Sequence, residues 1–113
     1  MERAAQPLAF AKDLPATLAE ARRENKRVLV DFEAVWCGPC HTMDTLVFTA
    51  KSVVTAANNL LAVKVDGDDH RDLKKQYNVE GYPTLILLDA NGKEIRRASG
   101  YQGVLDMLAL LKE

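Results

Sequence analysis

Apolar residues recur with two different periods along this chain, and the switches between them mark out its elements. Leu14, Leu18 and Ala21 carry helical spacing from Leu14 to Glu24, and Asn25 breaks it. Val28-Leu29-Val30-Asp31-Phe32 is a near-continuous apolar run rich in β-branched residues, the pattern of a strand covered on both faces. From Pro39 the series Met43, Leu46, Val47, Ala50 predicts a second helix, which Ser52 to Ala57 extends or restarts. Leu60 to Val65 reads as a second strand closed by Asp66-Gly67, and Asp68 or Asp69 is placed to cap a helix in which Leu73 and Tyr77 stand four apart. Thr84 to Leu88 is a third buried strand, and Asn91-Gly92 is a favoured two-residue hairpin turn into Lys93 to Ala98. After Gly100 and Gly103 a last amphipathic helix runs from Val104 to Lys112, with Val104, Leu105, Leu108 and Leu111 as its apolar stripe. The order helix, strand, helix, strand, helix, strand, strand, helix predicts an α/β sheet with a parallel part and one antiparallel hairpin.

Composition narrows the function classes. A chain of 113 residues is one domain, 1–113, long enough to bury an ordinary core. It is 48% hydrophobic with no apolar run approaching the roughly 18 residues of a membrane span, so it reads as globular, neither disordered nor membrane-spanning. A net charge of −1 gives no support for nucleic-acid binding. Arg22-Arg23, Lys26-Arg27 and Arg96-Arg97 are short basic clusters flanked by Glu24 and Glu94, which reads as solvated surface. Met1 to Lys12 lacks the charged and apolar regions of a secretory signal. Localisation stays open: bacterial periplasm where a signal or anchor has been removed, cytoplasm otherwise.

Chemistry concentrates in Trp36-Cys37-Gly38-Pro39-Cys40-His41, which holds both cysteines as C-x-x-C. If Cys37 begins a helix, Cys40 lies one turn on and the two sulfurs can close into a small reversible disulfide. Pro39 just inside that helix supplies a φ already helical and an N–H that is not needed there. Half a zinc site is the competing reading, with His41 and His70 to complete it. Their spacing argues against it, because His70 lies 29 positions beyond His41, whereas zinc fingers pair histidines about three to five apart. The pair would lie just past the carboxyl end of a parallel strand, where open α/β sheets place their active sites. Asp31 also stands out, since a charge inside an apolar strand is costly unless it has a purpose.

Val28 to Phe32, Ala34, Trp36 to Cys40, Gly81-Tyr82-Pro83-Thr84, Asn91-Gly92 and Gly100 together resemble the thioredoxin family, over nearly the whole chain. The resemblance implies a thioredoxin fold, with a central mixed sheet and helices on both faces. It implies a thiol:disulfide oxidoreductase, here a reductase of protein disulfides, with no bound cofactor beyond the Cys37–Cys40 pair and no metal. Its partners would be protein disulfides and an upstream protein electron donor, and the chain would act as a monomer. Some positions depart from the family pattern: Thr45 replaces a proline, Glu33 a tryptophan, and Ala62 a partly buried lysine, with Lys64 two positions on. The segments around Thr45 to Val54 and before Val28 are more similar to the thioredoxin-like domains of bacterial thiol:disulfide interchange proteins.

Roles follow residue by residue. Cys37, at a helix start, has the positive end of the helix dipole to favour its thiolate and is the nucleophile. Cys40, one turn in and more shielded, resolves the mixed disulfide, and Asp31 takes its proton, through water, provided burial raises the carboxyl toward working pH. A hydrogen-bonded structural acid is the alternative for Asp31. The resemblance makes the Tyr82–Pro83 bond cis, presenting backbone groups to an extended substrate strand. Trp36, Gly38, Pro39, Tyr82 and Pro83 form the substrate-binding surface, although Trp36 and Tyr82 also suit ordinary packing. His41 could tune the thiolate, or simply face solvent. Asp66-Gly67-Asp68-Asp69 lacks the spacing of a calcium loop and reads as turn and cap. A peptide-binding module with an idle dithiol is the alternative to an enzyme.

Overall fold

The computed structural model describes residues 1–113. Asp13 starts the first helix, α1 (Leu14–Glu24), by accepting from the Ala16 N–H at 3.0 Å, and Asn25 stops it in the left-handed conformation at φ 53°. Strands β1 (Val28–Glu33), β2 (Leu61–Asp66), β3 (Thr84–Leu88) and β4 (Glu94–Ser99) form one sheet in the order β2-β1-β3-β4. The β1–β2 pair is parallel, whereas β1–β3 and β3–β4 are antiparallel, as the element order predicts.

Every residue of β3, and β1 from Val28 to Phe32, is buried, so helices cover both faces. Val28, Val30 and Phe32 pack with Ile86, Leu88, Val63 and Val65 against Leu14 and Ala21 of α1. Helix α4 (Arg71–Gln76) adds Leu73 on that side, with Tyr77 just beyond its end. Leu29, Ala62, Leu85 and Leu87 point the other way, onto helices α2 (Gly38–Leu46), α3 (Lys51–Ala56) and α5 (Val104–Leu111). Strand alternation therefore sends Asp31 and Lys64, each two residues beyond Leu29 and Ala62, to the same face as α2.

Several local expectations are corrected. The second helix does not run through Ala50: it ends at Leu46, which is exposed, and restarts at Lys51. Thr49 directs its hydroxyl at the Thr45 carbonyl at 2.6 Å, and the Phe48 and Thr49 carbonyls accept instead from Leu8 and Ala4 of the N-terminal arm, both at 2.8 Å. Tertiary bonds thus replace helical ones across the break. The same arm pairs Ala11 with Val63 along the outer edge of β2, shielding backbone groups an open edge would expose. Neither Asp68 nor Asp69 caps α4, which begins after His70 with no side-chain cap. Asp66 forms that turn, its Oδ1 accepting from the N–H groups of Asp68 and Asp69 at 2.9 and 3.1 Å.

The β3–β4 connection is a three-residue loop, Ala90 to Gly92, not a two-residue Asn-Gly turn. The Asp89 and Lys93 backbones pair across it, and Gly92 takes φ +86° while Asn91 does not. Arg27 and Arg96 are not free surface charges either. They donate to the Leu111 and Leu110 carbonyls at 3.0 to 3.1 Å, satisfying the open end of α5.

The phase of α5 differs from the predicted stripe. Met107, Leu110 and Leu111 are buried, while Leu105 is 77% exposed. Met107→Ala should therefore lower stability by about 2–5 kcal/mol and Leu105→Ala should stay within about 0.5 kcal/mol of the parent in urea unfolding. Equal losses for the two variants would contradict this placement of the helix.

Candidate functional site

Three loops converge at one end of the sheet because β1 and β2 run parallel and β3 enters beside them antiparallel. Glu33 and Asp66 close the two parallel strands together, and the Gly67 N–H donates to the Glu33 carbonyl at 2.9 Å. Past Glu33 the chain turns at Ala34 to Cys37, with the Cys37 N–H donating to the Ala34 carbonyl at 3.1 Å. Cys37 then occupies the N-cap of α2, its Sγ accepting from the Cys40 N–H at 3.2 Å. The two cysteines form a disulfide across a Cα–Cα distance of 5.3 Å. The first turn of α2, with Pro39 inside it, is the strand-turn-helix arrangement predicted for the hexapeptide.

Both cysteines are equally buried in this oxidised state, so the greater shielding expected for Cys40 is not present. Their difference lies in the helix: Cys37 caps the end and its sulfur already receives an otherwise unpaired N–H. That environment favours a thiolate on Cys37.

Tyr82 packs over the small cluster of Ala34, Cys37 and Cys40, and the Tyr82–Pro83 bond is cis. The Pro83 carbonyl is occupied by the Gly100 N–H at 2.8 Å, whereas neither the N–H nor the carbonyl of Tyr82 has a partner in the chain. A strand of substrate could pair with those two groups. Trp36, 71% exposed, stands across from Tyr82 with ring centroids 5.7 Å apart in an edge-on arrangement. Gly38 and Pro39, the first residues of α2, are exposed.

One residue of this rim was not identified from sequence. Asp68 accepts from the Trp36 indole N–H at 2.7 Å through one oxygen and from the Tyr82 hydroxyl at 3.0 Å through the other. Those bonds hold its carboxyl below the usual range. Gly67 leaves room for this contact: a Cβ there would lie 2.2 Å from the Tyr82 hydroxyl oxygen, so the ring would have to move. Lys74 lies 4.9 Å from the Tyr82 ring centre. In sequence, Asp68 sits in an acidic turn with no visible link to residues 32 positions before it and 14 after it. Only the placement of that turn at the end of a parallel strand pointed to the site.

Beneath the cysteines' end of the sheet lies the buried acid. Asp31 is 2% exposed and directly opposite Lys64 in the β1–β2 register. The Lys64 ammonium lies 3.1 Å from Asp31 Oδ2, 3.1 Å from Glu33 and 2.7 Å from Asp44. It also lies over the ring of Phe10, 4.5 Å from its centre, with Phe48 at 5.6 Å. Lys64, two positions beyond the place of the family's lysine, is the residue that stands opposite Asp31 here. Burial pushes the Asp31 carboxyl up to about 6, against the pull of Lys64, and the neighbouring carboxylates of Glu33 and Asp44 add to the rise. Its Oδ1 is buried with no partner, which further disfavours the charged form. Burial alone would lower Lys64, but Asp31, Asp44 and Glu33 more than offset it and keep the ammonium charged.

The three carboxylates lie within 4.8 Å of one another, and the lysine supplies the cation among them. The two histidines are elsewhere: the His41 ring meets the Val35 carbonyl and His70 precedes α4. With both sulfurs joined to each other, the site is built for dithiol–disulfide exchange.

Residues 14–113 match the thioredoxin-like domain family, and the chain belongs to it. It is 37% identical over 81 residues to thioredoxin H2 of Arabidopsis thaliana, covering 72% of this chain and 58% of that protein. It is 32% identical over 113 aligned residues to the thiol:disulfide interchange protein DsbD of Yersinia pestis, covering 95% of this chain and 19% of that one. The chain thus spans little more than half of one relative and about a fifth of the other. In three dimensions it is similar to a thioredoxin from Thermus thermophilus, with a TM-score of 0.81, 26% identity, and coverage of 94% of this chain and 85% of that one. The fold is the thioredoxin fold.

Asp31 links the site to stability. Its folded carboxyl, at about 6, holds a proton more tightly than an unfolded one at 3.8. The stability it lends is complete below pH 4 or so and is lost as pH rises through 6, a shift of about 2 units or about 3 kcal/mol at most. Asp31→Asn should thus match the parent near pH 4 and exceed it by up to about 3 kcal/mol at pH 8 in urea unfolding. Curves that stay parallel from pH 4 to 8 would show an ordinary carboxyl.

Proposed function

We propose that this domain is a thiol:disulfide oxidoreductase that reduces disulfides in protein substrates. The observation that carries the reading is the placement of Cys37: helix cap, sulfur bonded to a helical N–H, joined to Cys40 one turn on, beside the unpaired backbone groups of Tyr82. In the reduced protein the Cys37 thiolate attacks one sulfur of the substrate disulfide, and the other substrate sulfur leaves as a thiolate and takes a proton. Cys40 then gives up its proton, Asp31 accepts it through water, and the Cys40 sulfur attacks Cys37. The Cys37–Cys40 disulfide forms, the second substrate sulfur departs, and two electrons have passed to the substrate. A protein electron donor restores the dithiol.

Trp36, Gly38, Pro39, Tyr82 and Pro83 are the surface on which the substrate strand lies, with Asp68 fixing its two aromatic walls. The reducing direction is supported by the residues around the sulfurs. Gly38-Pro39 between the cysteines is the dipeptide of reducing thioredoxins, no lysine or arginine lies within the motif, and the one buried charged residue of the chain, Asp31, is an acid. Each of these limits how far the thiolate of the reduced form is stabilised.

A binding module with an idle dithiol draws on the exposed apolar tip of Val35 and Trp36. Insulin-disulfide reduction driven by dithiothreitol separates the two. The parent should turn over, Cys37→Ser should not, and Cys40→Ser, reduced and then freed of dithiothreitol before insulin is added, should accumulate a mixed disulfide visible as added mass. A parent that binds insulin without turnover, or a Cys40→Ser protein that forms no adduct, would refute the enzymatic reading.

A further inference from the structure

His41, read from sequence as a tuning or solvent-facing residue, is exposed to solvent, and its ring also makes a contact that the sequence did not show. Its Nε2 lies 2.6 Å from the Val35 carbonyl oxygen, six residues back on the other side of the disulfide motif. A carbonyl only accepts, so Nε2 carries the hydrogen and donates it. The His41 backbone N–H also donates, to the Cys37 carbonyl at 3.2 Å. One residue on the first turn of α2 therefore reaches both the cap of its own helix and the loop leading into it.

That loop has few attachments. Val35 is 79% exposed, and the hydrogen bonds that hold the tip it forms with Trp36 are the Cys37 to Ala34 backbone bond, the Trp36 indole bond to Asp68 and the His41 ring bond, beside the edge-on contact of Trp36 with Tyr82. Asp68 holds the tip from the β2 side and His41 holds it from the α2 side. An apolar tip that must meet a substrate strand loses affinity if it has to be ordered on each encounter.

We infer that His41 is a positioning residue, which fixes the Val35–Trp36 tip as a ready-made contact surface for protein substrates. The inference rests on the oxidoreductase reading above. The carbonyl of Val35 is the point of attachment, so what matters is a donor at the place of Nε2. Glutamine can put its amide nitrogen there, and alanine cannot.

Trp36 is the single tryptophan of the chain, so its fluorescence anisotropy reports the tip directly. His41→Ala should lower that anisotropy and reduce kcat/KM for insulin disulfides by about fivefold, as expected for one lost hydrogen bond. Reduction of hydroxyethyl disulfide, too small to touch the tip, should stay within about twofold of the parent. His41→Gln should restore both the anisotropy and the insulin rate. Unchanged anisotropy in the alanine variant, a glutamine variant no better than alanine, or equal losses on both substrates would overturn the role of His41. A parent inactive on both disulfides would instead sink the oxidoreductase reading, and the anisotropy would still show whether His41 holds the tip.

Discussion

One ammonium shared by three carboxylates is the interaction on which the rest of this site depends. Lys64 reaches Asp31, Glu33 and Asp44 at once, from a position dictated by the parallel register of β1 and β2. Were all three acids ionised, three negative charges would face one positive charge in a place with little water. Asp31, the most deeply buried of them, is the one whose carboxyl burial pushes up to about 6. Phe10 from the N-terminal arm and Phe48 from the break after α2 lie against the ammonium, so the break and the arm belong to the same arrangement. Alternation along β1 aims this acid at the face that carries α2 and the cysteines. A one-residue slip of the strand would turn it to the opposite face.

Above that cluster the chemistry is exposed through loops, while the positions of those loops are set by strands. The end of β1 delivers the cysteines, the end of β2 delivers Gly67 and Asp68, and the entrance to β3 delivers Tyr82. Asp68 joins the first and third of these by bonding Trp36 and Tyr82 together. Trp36 and Tyr82 are therefore fixed relative to each other in the free domain.

The sequence disclosed those features that one segment determines by itself. β1 and β3 announce themselves as continuous apolar runs, α1 has its cap and its left-handed stop within the chain, and the C-x-x-C motif carries its own turn. Features that depend on segments far apart were hidden. The end of α2 at Leu46 is imposed by an arm that supplies hydrogen bonds from residues 4 and 8. The outward turn of Leu105 depends on which side of α5 meets α3 and the sheet. Asp68 looked like a helix cap because caps are the commonest use of such a residue beside a helix, and its real partners come from two other loops. What Lys64 faces was likewise hidden, because it depends on the register between β1 and β2.

The proposed direction of electron flow depends on a thiolate that is favoured but not strongly so. A helix cap lowers the energy of the Cys37 anion, and a buried acid shared by one lysine limits that gain. Equilibration with a glutathione buffer series measures the balance directly. A midpoint near about −270 mV, the value of reducing thioredoxins, is the predicted result, and the roughly 150 mV that separate it from the oxidant DsbA amount to about 7 kcal/mol. A midpoint more oxidising than about −180 mV, the value of protein disulfide isomerase, would contradict the account.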